Sequence, residues 1–110
     1  MNYRETCLRA ANDCVNGMRE QDYGTPEDNF GTIARLWSEY LGRENIVISP
    51  KDVPIMMALL KIARIKTGGG TGDSYIDLAG YAACAYEIAV NEAVDEALNE
   101  KEDENNGNNE

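Results

Sequence analysis

Two basic residues on one predicted helix are the first candidates for chemistry. Lys61 and Arg64 are three residues apart, so on a helix they lie on one face and their charges converge. The surrounding sequence is mostly apolar, and a cation on a buried helix is costly unless it is paired. Three interpretations follow: the cations pair with internal carboxylates, they extend to solvent, or they bind an anionic ligand such as phosphate.

Two aspartates lie at the start of the next predicted helix. Asp73 and Asp77 are four residues apart, which projects both carboxylates to one side, where they could hold Mg²⁺. Asp73 is also explained as a first-turn acid that faces the helix dipole. Asp77 lies one turn further in, between apolar neighbours. It is therefore a candidate ion-pair partner of Lys61 or Arg64, or a metal ligand.

An aromatic and polar segment supplies the third set of candidates. Tyr23 and Asn29 flank the start of a predicted helix, where a ring can stack on a nucleobase and an amide can hydrogen-bond to it. Phe30 and Trp37, seven residues apart, have the spacing of ordinary core residues. Asn29 would need hydrogen-bond partners if it were buried.

Four helices must position these residues, as the periodicity of the apolar side chains predicts. We expect them to span about residues 3–21, 26–41, 50–66 and 73–99. Thr25 followed by Pro26 is a typical helix start, and Gly42 is a typical helix end. Pro54 makes the start of the third helix uncertain by about a turn. This helix is apolar over most of its circumference, which is typical of a central position.

The fourth predicted helix is rich in alanine and spans roughly 40 Å, more than a bundle of this size covers. We therefore expect its far end to pack on a second subunit in a homo-oligomer. The predicted fold is all-α, a bundle of four helices. Residues 1–99 are predicted to form one helical domain. Residues 100–110 carry five acids and no apolar side chain, so we expect them to form a disordered acidic tail.

Composition narrows the chemistry further. A chain of 110 residues that is 43% hydrophobic fits one domain with a modest core. The absence of histidine excludes Ser-His-Asp and Cys-His catalysis and histidine-bound metals. Three cysteines without a CxxC pair argue against a disulfide scaffold or a zinc finger. The net charge of −10 comes mainly from the C-terminal end, and no long basic stripe favours duplex nucleic acid as a partner.

Three sequence blocks between residues 23 and 83 resemble a family of small tailed-phage and prophage proteins that has no assigned activity. The blocks are Tyr23-Gly24-x-Pro26-x-x-Asn29-Phe30-x-x-Ile33-Ala34-x-Leu36-Trp37, Asp52-Val53-x-x-Met56-Met57-x-x-Leu60-Lys61-Ile62-Ala63-Arg64 and Asp73-x-Tyr75-x-Asp77-Leu78-Ala79-Gly80-Tyr81-Ala82-Ala83. The resemblance implies a phage protein that works in the cytoplasm of a bacterial host. No apolar run approaches the roughly 18 residues of a membrane span, and the charged N-terminus lacks a signal core.

More remotely, the pattern resembles the MazG-type all-α NTP pyrophosphohydrolases and related phage nucleotide-modification domains. This resemblance implies a MazG-like bundle in which helical carboxylates hold Mg²⁺ for cleavage between the α and β phosphates. Those proteins typically carry Glu-x-x-Glu on one helix and Glu-x-x-Asp on the next. Here the second helix offers Glu39 and the fourth offers Asp73 and Asp77, so the four-acid site is incomplete.

The leading hypothesis is therefore a phage protein that binds a nucleotide. Its candidate ligand-binding residues are Lys61, Arg64, Tyr23, Asn29, Tyr81 and Asp77. Such a protein would either process a nucleotide or sequester a host immune signal, such as a cyclic oligonucleotide or an ADP-ribose derivative. One alternative is a Mg²⁺-dependent NTP or dNTP pyrophosphohydrolase. Another is a structural or interaction protein with an internal ion-pair network.

Overall fold

The computed structural model describes residues 2–17, 24–42, 44, 46–68 and 72–107. In this part of the chain there are four helices and no strand, which confirms the predicted all-α class. The helices are α1 (Tyr3–Asn16), α2 (Pro26–Tyr40), α3 (Asp52–Lys66) and α4 (Gly72–Gly107).

Side-chain caps begin the first two helices. The Asn2 side chain accepts a hydrogen bond from the Glu5 N–H at 2.9 Å and begins α1. Thr25 accepts one from the Asp28 N–H at 3.3 Å, and Pro26 follows it at the first helical position. Both arrangements satisfy backbone donors that have no partner within the helix. The start predicted for α2 is confirmed.

The third helix begins at Asp52, two residues later than the predicted start at Pro50. The Asp52 carboxylate accepts a hydrogen bond from the Ser49 N–H at 2.9 Å, which fixes the chain just before the helix. This start places Pro54 in the first turn, where its missing N–H and its ring cause no conflict.

The fourth helix continues past its predicted end at Asn99 to Gly107, over a total of 36 residues. Residues 100–106, which were predicted to be disordered, are therefore helical in the structure, and they are exposed. Glutamate and lysine are good helix formers, and no proline interrupts a helix that is already formed. The predicted division at residue 99 between a packed domain and a tail stays a prediction.

The core lies where α2, α3 and α4 meet. Its buried residues are Phe30, Ala34, Ile48, Val53 and Ile88, and Ile33, Trp37, Met57, Tyr81 and Cys84 pack against them. Because only residues 67–71 join α3 to α4, these two helices form an antiparallel hairpin. α1 packs along α4 instead, and Gly80 allows the close approach of Val15.

A buried serine ties the connector after α2 to the core. The Ser38 hydroxyl accepts a hydrogen bond from the Ile48 N–H at 2.9 Å and donates one to the Ile48 carbonyl at 3.3 Å. Ser38 is only 2% exposed. It therefore satisfies two backbone groups of a connector that has no strand to pair with in the described part of the chain.

The third helix is covered on one side only, which differs from its predicted central position. Val53 and Pro54 are buried against the rest of the chain. The opposite side leaves five large apolar residues exposed: Ile55, Met56, Leu59, Leu60 and Ile62. The pattern correctly indicated an apolar helix, but a single chain does not surround it.

Candidate functional site

An ion pair joins the two helices of the hairpin. The Lys61 Nζ atom lies 3.0 Å from Asp77 Oδ2. The Lys61 side chain is 12% exposed, and that of Asp77 is 37% exposed. Both residues lie at the same distance from the connecting loop, so the antiparallel arrangement brings them opposite each other. The structure thus contains the pairing of Lys61 with an internal carboxylate, one of the alternatives that the sequence left open.

Arg64 lies one turn closer to the loop and is exposed. Among the residues that the structure describes, none forms an ion pair with it. Asp73 is exposed in the first turn of α4, at the same end of the hairpin. The guanidinium of Arg64 therefore remains accessible to an anion, whereas the ammonium of Lys61 is engaged by Asp77.

Tyr81 follows Asp77 by one turn on the same side of α4. Its ring is half-buried and packs against Phe30, with 6.4 Å between the ring centroids and a tilt of 55°. Asn29 is also half-buried and directly precedes Phe30 in α2. Tyr23, the remaining candidate, lies outside the described residues. The structure therefore places Tyr81 one turn from Asp77 on α4, and it places Asn29 on the neighbouring helix.

Two adjoining cavities follow the seam between α1 and α4. A narrow cleft of about 10 Å³ is lined by Cys14, Val15, Ile76, Asp77, Gly80, Tyr81 and Cys84. A larger cavity of about 210 Å³ is lined by Val15, Asn16, Pro26, Ala83, Cys84 and Glu87. Val15 and Cys84 belong to both linings, so the two cavities are neighbours. Asp77 therefore lines the narrow cleft in this seam and also forms the ion pair with Lys61.

Asn16 and Glu87 are polar wall residues that the sequence analysis did not select. They lie far apart in sequence, and they come together only because α1 packs beside the middle of α4. Neither residue carried a local motif, and Glu87 entered the sequence analysis only as part of the acidic C-terminal end. Only the register of α1 on α4 reveals them.

The candidate magnesium ligands do not form a complete site. Among the residues that the structure describes, no group of three or more Asp, Glu, Cys or His side chains is placed to hold a metal ion. Asp77 already binds the ammonium of Lys61. Mg²⁺ prefers six oxygen ligands in a near-octahedral arrangement. Asp73 and Asp77 therefore do not fit a magnesium site by themselves, and the use of Mg²⁺ stays a prediction.

No helix in the described part of the chain combines the length and the apolar character that crossing a membrane requires. The helices instead expose charged residues along their length. This finding agrees with the sequence, which contains no apolar run of that length.

The fold and the site together define an all-α protein with a partly buried ion pair between two of its helices. The chain belongs to the family described as "Domain of unknown function (DUF6378)", which matches residues 6–89. This match includes all three sequence blocks on which the resemblance to a phage family rested. No solved structure matches the chain significantly.

Two similar proteins come from mycobacteriophages. The "Gene 55 protein" of Mycobacterium phage D29 is 45% identical over 84 residues, which cover 76% of this chain and 54% of that protein. The "Gene 55 protein" of Mycobacterium phage L5 is 44% identical over 75 residues, which cover 68% of this chain and 47% of that protein. The chain spans about half the length of these curated relatives. The matches confirm the predicted membership of a phage protein family.

Proposed function

We propose that the protein binds a small nucleotide through its phosphate groups, on the side of the hairpin that carries Lys61, Arg64 and Asp77. The observation that carries this proposal is the ion pair between Lys61 and Asp77, in which a lysine side chain on a mostly apolar helix is only 12% exposed. A buried ion pair rarely stabilises a fold more than apolar residues of the same volume would. Stability alone therefore does not account for this pair, and we assign it a role in ligand binding.

Arg64 is the proposed contact to phosphate. Its planar guanidinium can donate two parallel hydrogen bonds to one phosphate group, which makes arginine well suited to this ligand. Its exposure and its position one turn from Lys61 support this role. Asp77 would then orient the Lys61 ammonium, whose remaining N–H donors are available to the phosphate. The antiparallel hairpin provides both groups from rigid helices rather than from a loop.

The two neighbouring cavities supply room for the rest of the ligand, nearly all of it in the larger one, which Asp77 and Tyr81 do not line. Their combined volume is smaller than the 300–1,000 Å³ typical of pockets that enclose a whole ligand, so it suits a base or a sugar with the phosphates outside. Tyr81 lines the cleft and is the proposed contact to that part of the ligand. Tyr23 and Asn29 stay candidates for the same role.

The resemblance to MazG-type proteins supports a nucleotide as the class of ligand, and a MazG-like bundle is part of this proposal. The incomplete carboxylate set favours retention of the nucleotide over its cleavage. In the cytoplasm of an infected host, a phage protein of this kind would remove a nucleotide signal from solution. A cyclic oligonucleotide or an ADP-ribose derivative is the proposed type of signal, and immune evasion is the proposed benefit.

A second candidate function is a Mg²⁺-dependent NTP or dNTP pyrophosphohydrolase. The observation that favours it is the spacing of Asp73 and Asp77, one turn apart at the exposed end of α4. The third interpretation, a structural role for the ion pair, requires no ligand. One binding experiment with a mixed set of nucleotides separates these three functions.

In that experiment the protein is incubated with NTPs, dNTPs, cyclic di- and trinucleotides and ADP-ribose derivatives, with and without Mg²⁺. Free nucleotides and those released by denaturation are then identified by mass spectrometry. We expect one compound to be depleted from solution and released unchanged. Conversion of a triphosphate to a monophosphate and pyrophosphate would instead identify a hydrolase. If no compound is depleted or converted, the proposal is wrong and the ion pair has a structural role.

The variant Arg64→Gln tests the site itself. Loss of a charge-assisted contact to phosphate should weaken binding by roughly tenfold or more. The matched control is Lys66→Gln, which removes one positive charge from an exposed position near the end of the same helix. We expect binding by this control to stay within about twofold of the unsubstituted protein. Equal losses in both variants would indicate a general effect of charge and would contradict the assigned site.

A further inference from the structure

The outer side of α3 is a continuous apolar surface. Its residues are Ile55, Met56, Leu59, Leu60 and Ile62, and each side chain is between 42% and 60% exposed. Spacings of three and four residues bring them to neighbouring positions on the helix. An apolar helix of this kind is normally covered on all sides. We refer to these five residues as the α3 face.

A second apolar stripe follows the far half of α4. Tyr86, Val90, Val94 and Leu98 recur at every fourth residue, and they are between 40% and 73% exposed. α4 is about 54 Å long and α3 about 22 Å, so α4 extends well beyond its partner in the hairpin. We refer to these four residues as the α4 stripe.

The accessible surface area of the chain is larger than that of a compact monomer of the same mass. The accessible surface is 8217 Å². A compact monomer of 12.1 kDa would expose about 6,000 Å². The excess is larger than the roughly 800 Å² that each partner buries in a standard protein interface. One chain therefore leaves enough extra surface to form a stable dimer.

The charges beside the two apolar surfaces indicate which molecule covers them. α3 has a net positive charge, from Lys61, Arg64 and Lys66 against Asp52, and Lys66 is the exposed cation that the proposed ligand site does not use. The part of α4 that carries the α4 stripe, residues 86–98, has four acids and no basic residue. The α3 face, which has basic neighbours, and the α4 stripe, which has acidic neighbours, thus belong to the same chain. Oppositely charged borders favour an encounter between such surfaces and fix their register.

We propose that a second copy of this chain covers both surfaces, with the α3 face of each copy packed on the α4 stripe of the other. A two-fold symmetric dimer buries both pairs of surfaces at once. This inference goes beyond nucleotide binding and does not depend on it. It also explains why the sequence pattern of α3 is that of a central helix although the single chain covers one side only.

The mass of the protein in solution tests the dimer. Light scattering coupled to size-exclusion chromatography should give twice the chain mass of 12.1 kDa for the unsubstituted protein. Leu59→Glu and Val94→Glu should each reduce the mass to that of one chain, with the helical circular dichroism unchanged. Leu8→Glu is the control, since Leu8 is 64% exposed and lies on α1, which belongs to neither surface. A monomeric unsubstituted protein would overturn the proposal, as would an unaffected dimer in both glutamate variants.

Disulfide formation tests which surfaces meet. In a chain whose three cysteines are replaced by alanine, Leu59→Cys and Val94→Cys are prepared as separate variants. We expect a covalent dimer when the two variants are mixed and oxidised, and little when either is oxidised alone. Rapid cross-linking of the Leu59→Cys variant with itself would mean that α3 meets α3, which would overturn the proposed arrangement.

Discussion

The side chain of Lys61 is only 12% exposed, whereas its partner Asp77 keeps more than a third of its side chain exposed. Lys61→Met should therefore lower the free energy of unfolding by about 1–3 kcal/mol, between the values of exposed and fully buried pairs. The cost arises because Asp77 loses the cation that compensates its partial burial. Replacing both residues, as in Lys61→Met with Asp77→Leu, should recover most of the loss. Urea unfolding measures each difference.

The exposed pair of Arg9 and Glu5 provides the control for this prediction. Its atoms are 2.9 Å apart, but the side chains are 64% and 44% exposed. Arg9→Met should change the free energy of unfolding by less than about 0.5 kcal/mol, because the pair is solvated and lies on one helix. An equal cost for Arg9→Met and Lys61→Met would show that enclosure of the ammonium contributes nothing.

A second prediction at the residue scale concerns Ser38. Ser38→Ala should lower the free energy of unfolding by about 1–3 kcal/mol, because the Ile48 N–H and carbonyl lose their partner in a buried position. Ser49→Ala is the control, since the Ser49 hydroxyl forms no hydrogen bond among the described residues and is half-buried. Urea unfolding should separate the two variants, and equal stability would contradict the role of Ser38.

Sequence reasoning succeeds for residues whose partners are near in the chain. Thr25 caps α2 through a hydrogen bond to a residue three positions away, so its role follows from local sequence. Ser38 binds a residue ten positions away, beyond the end of its helix, and nothing local indicates that contact. The pair of Lys61 and Asp77 is intermediate, because both residues were candidates but only the hairpin register selects this pairing.

Two helices can approach each other closely where one of them carries a small residue. Between α1 and α4 that residue is Gly80. A Cβ atom at Gly80 would lie 3.2 Å from Val15 Cγ1. Gly80→Val should therefore lower the free energy of unfolding by about 1–3 kcal/mol through overpacking. Adding Val15→Ala should restore part of that stability, because it removes the methyl groups that clash.

Ala82→Val is the matched control for this element. It adds the same branched side chain to α4, two residues later and on the exposed side. Its effect should be limited to the helix propensity of valine, below about 0.7 kcal/mol. If Val15→Ala gave no recovery in the Gly80→Val background, the contact between α1 and α4 would not be the cause of the loss.

At the scale of the elements, the periodicity of apolar residues predicted where the helices are, but it did not predict what packs against them. The apolar pattern of α3 predicted a central helix, and the structure covers only one side of it. A pattern reports which sides of a helix avoid water, but it does not report whether the cover comes from the same chain. The bounds of α4 were missed for a different reason. Composition indicated disorder after Asn99, whereas a preformed helix extends through residues of good propensity.

The whole molecule is longer than a compact chain of its size. Its radius of gyration is 17.6 Å and its longest dimension is 61 Å, whereas a compact chain of 110 residues has a radius of about 13 Å. The long α4 accounts for this shape. The fold class and the membership of a phage family could be predicted from the sequence, because both depend on local patterns. The overall shape depends on how far α4 extends, which those patterns did not define.

Removal of residues 100–110 tests where the packed molecule ends. The shortened chain should unfold within about 0.5 kcal/mol of the full chain, because residues 100–106 are exposed. It should also keep the mass of a dimer, because the α4 stripe ends at Leu98. Urea unfolding and light scattering measure the two outcomes.

A shorter chain that ends after Ala89 serves as the contrasting variant, since it lacks Val90, Val94 and Leu98 and should be monomeric. Loss of the dimer on removal of residues 100–110 alone would instead mean that the acidic end of α4 belongs to the interface, because this segment contains no apolar side chain.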